Sequence, residues 1–170
     1  MTYDVAPLPG FEPQIGLLLA SLDDSTREWR EQLEKPPIDA IMWQIAPNGP
    51  SIGALLLHLI DCEVGWIEQF CCGKPADPDQ DALLMTKEVD QMLGTWPTPH
   101  EQPIEWYFDL HDQIRERCKV ALRKMSDPAQ IFEGGTNRYS LRWVLAHVIE
   151  HDSYTGGQAV LLHEAWKRQR

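Results

Sequence analysis

The sequence predicts an all-α fold, a helix bundle built on four long helices, and three observations carry that expectation. Apolar residues recur at helical spacing through long segments, as at Ile15, Leu18, Leu19 and Leu22. Clusters of proline and glycine punctuate those segments, as at Lys35-Pro36-Pro37, Pro47-Asn48-Gly49-Pro50 and Gly73-Lys74-Pro75. Nothing alternates with period two for more than a few residues, so almost no strand is expected.

Residues 1–10 read as a Pro-rich lead-in. A first helix is expected from about Phe11 to Glu34, with Pro13 suited to its first turn and Lys35-Pro36-Pro37 ending it. Residues 38–50 read as a loop that packs Met42, Trp43 and Ile45 on the bundle. Ser51 is a good N-cap for a second helix, about Ile52 to Cys72. After the acidic stretch Asp77 to Asp81, a shorter helix is expected over Ala82 to Leu93, and Gly94 to Pro99 breaks it. The third long helix spans about Pro103 to Met125, with Ile104, Phe108, Ile114, Cys118 and Leu122 inward and Arg115, Glu116 and Arg117 on a wet face. Residues 126–139 read as a loop with Gly134-Gly135, and Ser140 caps a last helix from Leu141 to about Lys167. That helix crosses Gly156-Gly157, at a cost of about 1 kcal/mol per glycine; close helix approach, a cavity or a kink each account for the pair.

The chain's 170 residues suit one domain, 1–170, long enough to bury a core without staples. A net charge of −11 argues against an electrostatic grip on nucleic acid or an anionic membrane. The short tail Lys167-Arg168-Gln169-Arg170 reads as favourable charge at a helix end. Apolar runs such as Ala54 to Leu57 reach only four residues, far short of a membrane span, and Met1 to Pro7 carries neither a basic nor an apolar leader region. The four cysteines, Cys62, Cys71, Cys72 and Cys118, form no Cys-x-x-Cys pair, and without a secretion signal reduced thiols in a cytoplasmic protein are expected.

The six histidines are not equivalent. His147 and His151 are spaced i, i+4, one turn plus about 40°, so both imidazoles project from one helix face. Tyr154 and Gln158 lie within about 20° of His147, among Val144 and Val148, so a polar stripe is set into an apolar face. A solvated face would carry Lys and Glu instead. His58 stands among Ala54, Leu55 and Cys62, one turn away on either side, and points inward. A buried imidazole needs partners for both nitrogens, and a metal supplies one of them. His58, His147 and His151 are therefore the expected ligands of a divalent ion in the bundle core, with open positions for water or substrate. Imidazole suits zinc, nickel and iron(II), and the residues do not choose among them. Hydrogen-bonded core histidines are the alternative. His100 reads as loop, His111 as surface beside Asp112, and His163, about 120° round the helix from His151, should miss the site.

The chain resembles the DinB/YfiT-like family of metal-dependent enzymes. The resemblance is carried by Ser51-Ile-Gly-Ala-Leu-Leu-Leu-His58-Leu-Ile-Asp-Cys-Glu63, and by Leu141-Arg-Trp-Val-Leu-Ala-His147-Val-Ile-Glu-His151 running on to Gln158. It implies an up-down-down-up four-helix bundle, often a homodimer, with one histidine ligand from the second helix and two from the last. Family members often carry a further histidine four residues after His151, where this chain has Thr155. His147 then replaces the missing ligand, or the site has lost it. The resemblance also implies S-transfer or isomerisation with a low-molecular-weight thiol; other members are called hydrolases.

Two functions follow. In the first, an ion activates a thiol or water against a small-molecule electrophile, Tyr154 donates a hydrogen bond, and Asp61 and Glu150 act as acceptors or as a base. Both carboxylates equally suit salt bridges on helix flanks. In the second, the chain is a non-catalytic binding or dimerisation module with or without a metal, and some of its seven tryptophans meet a partner.

Overall fold

The computed structural model describes residues 4–90 and 92–169. Met1 to Tyr3 of the expected lead-in, Gln91 of the expected short helix and Arg170 of the basic tail lie outside them. The described chain is mostly helical: α1 (Pro13–Leu33), α2 (Ile38–Met42), α3 (Ile52–Glu63), a π-helical segment (Val64–Cys71), α4 (Pro78–Leu84), a 3₁₀ turn (Thr86–Glu88), α5 (Ile104–Leu122), the strands β1 (Ile131–Gly134) and β2 (Asn137–Ser140), and α6 (Leu141–Lys167). No helix among the described residues is long and apolar enough to cross a membrane.

Helix boundaries follow from local chemistry. Glu12 accepts hydrogen bonds from the amides of Gln14 and Ile15 at 2.9 and 3.0 Å, and Pro13 opens α1. Ser51 caps α3 through Ala54 N–H, and Ser140 caps α6 through Trp143 N–H, both at 3.3 Å. Ile15, Leu19, Leu22, Thr26, Trp29 and Leu33 form the buried stripe of α1. α3 is buried almost all round. It packs against α5 and α6, and α6 also packs along α1.

Four expectations need correction. The loop expected over 38–50 contains α2, whose Ala40 and Ile41 are fully buried. The expected second helix widens to i→i+5 pairing after Glu63, a geometry that periodicity does not foretell. The expected helix Ala82 to Leu93 is replaced by α4, because Asp77 caps an earlier start at Pro78 and left-handed Met85 (φ +56°) ends it. The expected 126–139 loop contains an antiparallel hairpin pairing Ile131 with Ser140 and Phe132 with Tyr139. Gly135 (φ +60°) supplies the positive φ of its two-residue turn. Four-residue strands are too short for their alternation to register.

The glycine pair leaves α6 unbroken. A Cβ on Gly156 would stand 2.3, 2.4 and 2.7 Å from atoms of the Trp29 ring, so close approach of α1 and α6 is the reason for this glycine. A Cβ on Gly157 would meet nothing within 4 Å. Gly156→Ala is therefore expected to cost about 1–3 kcal/mol by overpacking. Gly157→Ala should leave stability unchanged or raise it by up to about 1 kcal/mol through helix propensity. Urea denaturation of the two variants checks the contrast.

Candidate functional site

Two polar centres flank α3. The first is buried. Glu63 (α3), His111 and Arg115 (α5) and Asp152 (α6) are each at most 5% exposed. This corrects the wet face expected for Arg115 and the surface position expected for His111: both sit inward, because each finds partners on other helices. Arg115 donates to Glu63 Oε2 at 2.7 Å and to Glu63 Oε1 at 2.5 Å, and also reaches Asp23 at 3.1 Å. Asp152 accepts from Ser25 at 2.6 Å, Thr26 at 2.8 Å and Trp29 Nε1 at 3.1 Å. Arg30 lies 2.9 Å from His111 Nδ1. A guanidinium only donates, so Nδ1 is the acceptor and the ring proton sits on Nε2, facing Glu63 Oε1 at 2.7 Å. His111 is thus a neutral imidazole, and burial pulls its pKa down.

Glu63, His111 and Asp152 also form a possible metal-binding group, with ligand atoms all within 4.8 Å of one another. A cation already occupies their midst. Arg115 Nη2 stands 2.5 Å from Glu63, 3.0 Å from His111 Nε2 and 3.5 Å from Asp152. A metal would have to displace the guanidinium from this set, leaving it only Thr26 and Asp23 as partners, so this centre reads as an ion-pair network.

The second centre is a cavity of about 490 Å³ between α3, the π segment, the hairpin and α6, a size suited to a small molecule. Its polar lining is His58, Asp61 and Cys62 from α3 and His151 from α6. Its apolar lining is Gly65, Trp66 and Phe70 of the π segment with Gly134 and Tyr139 of the hairpin. Trp66 and Phe70 meet edge to face at 5.4 Å, and each meets Tyr139 at 5.6 Å. A Cβ on Gly134 would press on Phe70 and Tyr139 at 3.1 and 3.2 Å, so glycine lets the hairpin close against this wall.

The expected site residues fall in different places. The rings of His58 and His151 meet edge to face across the cavity, with centroids 5.4 Å apart and planes at 62°. His147, one turn earlier and 5.3 Å from His151, lies flat on Trp143 at 4.9 Å with its edge to Trp66, and it does not line the cavity. Tyr154 meets His151 Nε2 through its hydroxyl at 2.5 Å. Asp61 lines the cavity and accepts from Thr86 at 2.7 Å, and burial raises its pKa. Glu150 projects into solvent, its side chain 76% exposed, with His147 Nδ1 at 4.0 Å. His163 lies away from the cavity and pairs with Leu33 O at 2.9 Å. Sequence reasoning missed the aromatic wall, which needs the hairpin to exist. It also passed over Cys62, whose i, i+4 spacing from His58 was the available signal.

Two features of the His58–His151 pair bear on metal binding. His151 Nδ1 is buried with no hydrogen-bond partner. Burial and the neighbouring His58 and His147 hold the His151 pKa down at about 4, and burial lowers that of His58, so both rings are kept neutral, the form in which an imidazole binds a metal.

The profile of the mycothiol-S-transferase family matches residues 17–167, which span every helix described above except the first turn of α1. The chain belongs to the mycothiol-S-transferase family. That family is DinB/YfiT-like, in agreement with the resemblance drawn from the two histidine motifs. No curated protein matches the chain.

Opposite protonation needs set the acid behaviour of the buried network. Arg115 and His111 hold the Glu63 carboxylate down at about 2 against burial, below the 4.5 of a free glutamate, so its contribution is complete above pH 4.5 and lost as pH falls toward 2. Neutral His111, lowered from 6.5, costs stability as soon as the unfolded ring takes a proton, below about pH 6.5. Urea midpoints should therefore decline from about pH 6.5 downward and again below about pH 4.5. Arg115→Met, which leaves Glu63 unpaired, should cost about 3–5 kcal/mol at pH 7 and flatten the lower limb.

Proposed function

We propose that this protein transfers a low-molecular-weight thiol to a small electrophile in the cavity beside α3 and α6, with a divalent ion held by its histidines. The observation that carries the reading is the edge-to-face pair His58 and His151 at an aromatic-walled cavity, with a buried, unpartnered nitrogen on His151. Membership of a family described as mycothiol S-transferases supports a thiol as co-substrate. Among the three histidines expected as ligands, the geometry favours His58 and His151, and His147 is the nearest further imidazole.

A bound divalent ion supplies Lewis acidity that makes a thiol proton easier to lose. The chain's own groups do the rest. Thr86 donates to Asp61 Oδ1, which leaves Oδ2 as the oxygen that takes the thiol proton. The raised pKa of Asp61 makes it a stronger base than a solvent-exposed aspartate. As the new carbon–sulfur bond forms, the same proton returns from Oδ2 to the leaving group. Tyr154 holds the His151 ring through Nε2. Trp66, Phe70 and Tyr139 exclude water and offer flat apolar surface to the electrophile. Glu150, out in solvent, has no part in these steps.

The reading includes residues 1–170 as a single domain, with α1, α3, α5 and α6 as an up-down-down-up bundle, and a homodimer in solution. The described cysteines are all unpaired, which supports a reducing compartment.

Purified protein is expected to carry about one equivalent of divalent metal by elemental analysis. His58→Ala and His151→Ala should each lose it, and thiol-transfer rate should fall by more than about a hundred-fold. Asp61→Asn should keep the metal yet lower kcat by about 10²–10⁴. Wild-type protein that stays metal-free after reconstitution would overturn the reading.

A further inference from the structure

The cavity beside α3 and α6 offers nothing to an anion. Among the described residues that line it none is lysine or arginine, and the ionic side chain there is the carboxylate of Asp61. The charges that act on the lining groups are those of further acids, Asp81 on Asp61, and Glu63 with Asp152 on Cys62. Cations close in sequence are turned elsewhere. Arg138 precedes Tyr139 on β2, so its side chain leaves the opposite face of the hairpin, 71% exposed and 3.8 Å from Glu133. Lys74 and Arg117 both pair with Glu68 of the π segment. Arg115 is enclosed by the buried network. A carboxylate or phosphate entering the cavity would give up hydration with no protein cation to receive it. Its one recourse would be the divalent ion itself, at the position the thiol needs, so an anionic group would compete with the co-substrate.

The shape of the lining narrows the choice further. Trp66, Phe70 and Tyr139 put three rings on one cavity, and ring systems pack best against other flat π surfaces. Two glycines stand among them in different roles. Gly134 lets the hairpin close, whereas Gly65 lines the cavity and a Cβ there would meet nothing within 4 Å, so its bare backbone leaves open space beside the rings. We propose that the electrophile of this site is uncharged and planar, an aromatic or conjugated system received against Phe70 and Tyr139 over the backbone of Gly65. This rests on the reading of the cavity as a thiol-transfer site. With an aryl epoxide of this class, the sulfur–carbon bond forms as a carbon–oxygen bond of the epoxide breaks, and the thiol proton held by Asp61 ends on that oxygen. The product is a neutral hydroxy thioether, and no anion has to leave through an acidic cavity.

Calorimetric titration of metal-stripped full-length protein with cinnamamide and cinnamate, planar probes of near-identical shape and different charge, tests the assignment without any need for activity. Wild type should bind the amide about tenfold or more tighter than the carboxylate. Gly65→Leu, whose side chain grows into the open space, and Phe70→Ala, which removes part of the wall, should each weaken the amide by about tenfold. Circular dichroism identifies which of the two variants are folded, and they alter different elements of the lining. Cinnamate bound as tightly as cinnamamide by wild type would overturn the proposal, as would no binding of either probe, or amide affinity unchanged in a folded variant. Discrimination as expected, in a metal-loaded protein that transfers no thiol to styrene oxide, would overturn the thiol-transfer reading and leave the selectivity of the cavity standing.

Discussion

Arg115 holds a full positive charge at 5% exposure, and the arrangement of the helices around it follows from how that charge is met. Taking a guanidinium out of water costs several kcal/mol unless carboxylates and further hydrogen-bond acceptors surround it. Glu63 from α3, Asp152 from α6 and Asp23 with Thr26 from α1 converge on it, and His111 and Arg30 complete the other side. Four helices thereby share one set of partners. Sliding any of them by one residue would leave a buried charge unpaired, so the network specifies register more than it adds stability.

That register reaches the cavity through two adjacent pairs of residues. Glu63 directly follows Cys62, and Asp152 directly follows His151. Successive helical residues point about 100° apart, so turning Glu63 and Asp152 toward Arg115 leaves Cys62 and His151 to face the cavity. The helices that bury the ion-pair network are the same ones that present the donors, and each half of the arrangement orients the other. Trp29 adds a second clasp between α1 and α6, donating to Asp152 while its ring rests where Gly156 has no side chain.

The aromatic wall supplies what the helix donors lack, a low-polarity boundary on the solvent side. The π segment carries Trp66 and Phe70 onto the same cavity as His58 and Cys62, and the hairpin brings Phe132 and Tyr139 over them. Charge interactions inside such a boundary are stronger than in water, which suits a family whose members transfer thiols. The cavity of about 490 Å³ between wall and helices has room for a small molecule.

Much of the helical frame was legible in the residues themselves. Ser51 and Ser140 announced two helices to the residue, Lys35-Pro36-Pro37 ended α1, and Ile15, Leu19 and Leu22 repeated at the period of a buried face. The same periodicity turned His58 inward and put His147 and His151 on one face, because neighbours within one turn are fixed by chain geometry alone. Tertiary structure decided the rest. Arg115 and His111 look like surface residues until Glu63, 48 residues before His111, is brought to 2.7 Å from its ring. His147 looks equivalent to His151 until Trp143 and Trp66 take up its ring. Local spacing sets which way a side chain points from its own helix; what it meets there depends on contacts distant in sequence, and those exist only once the chain has folded.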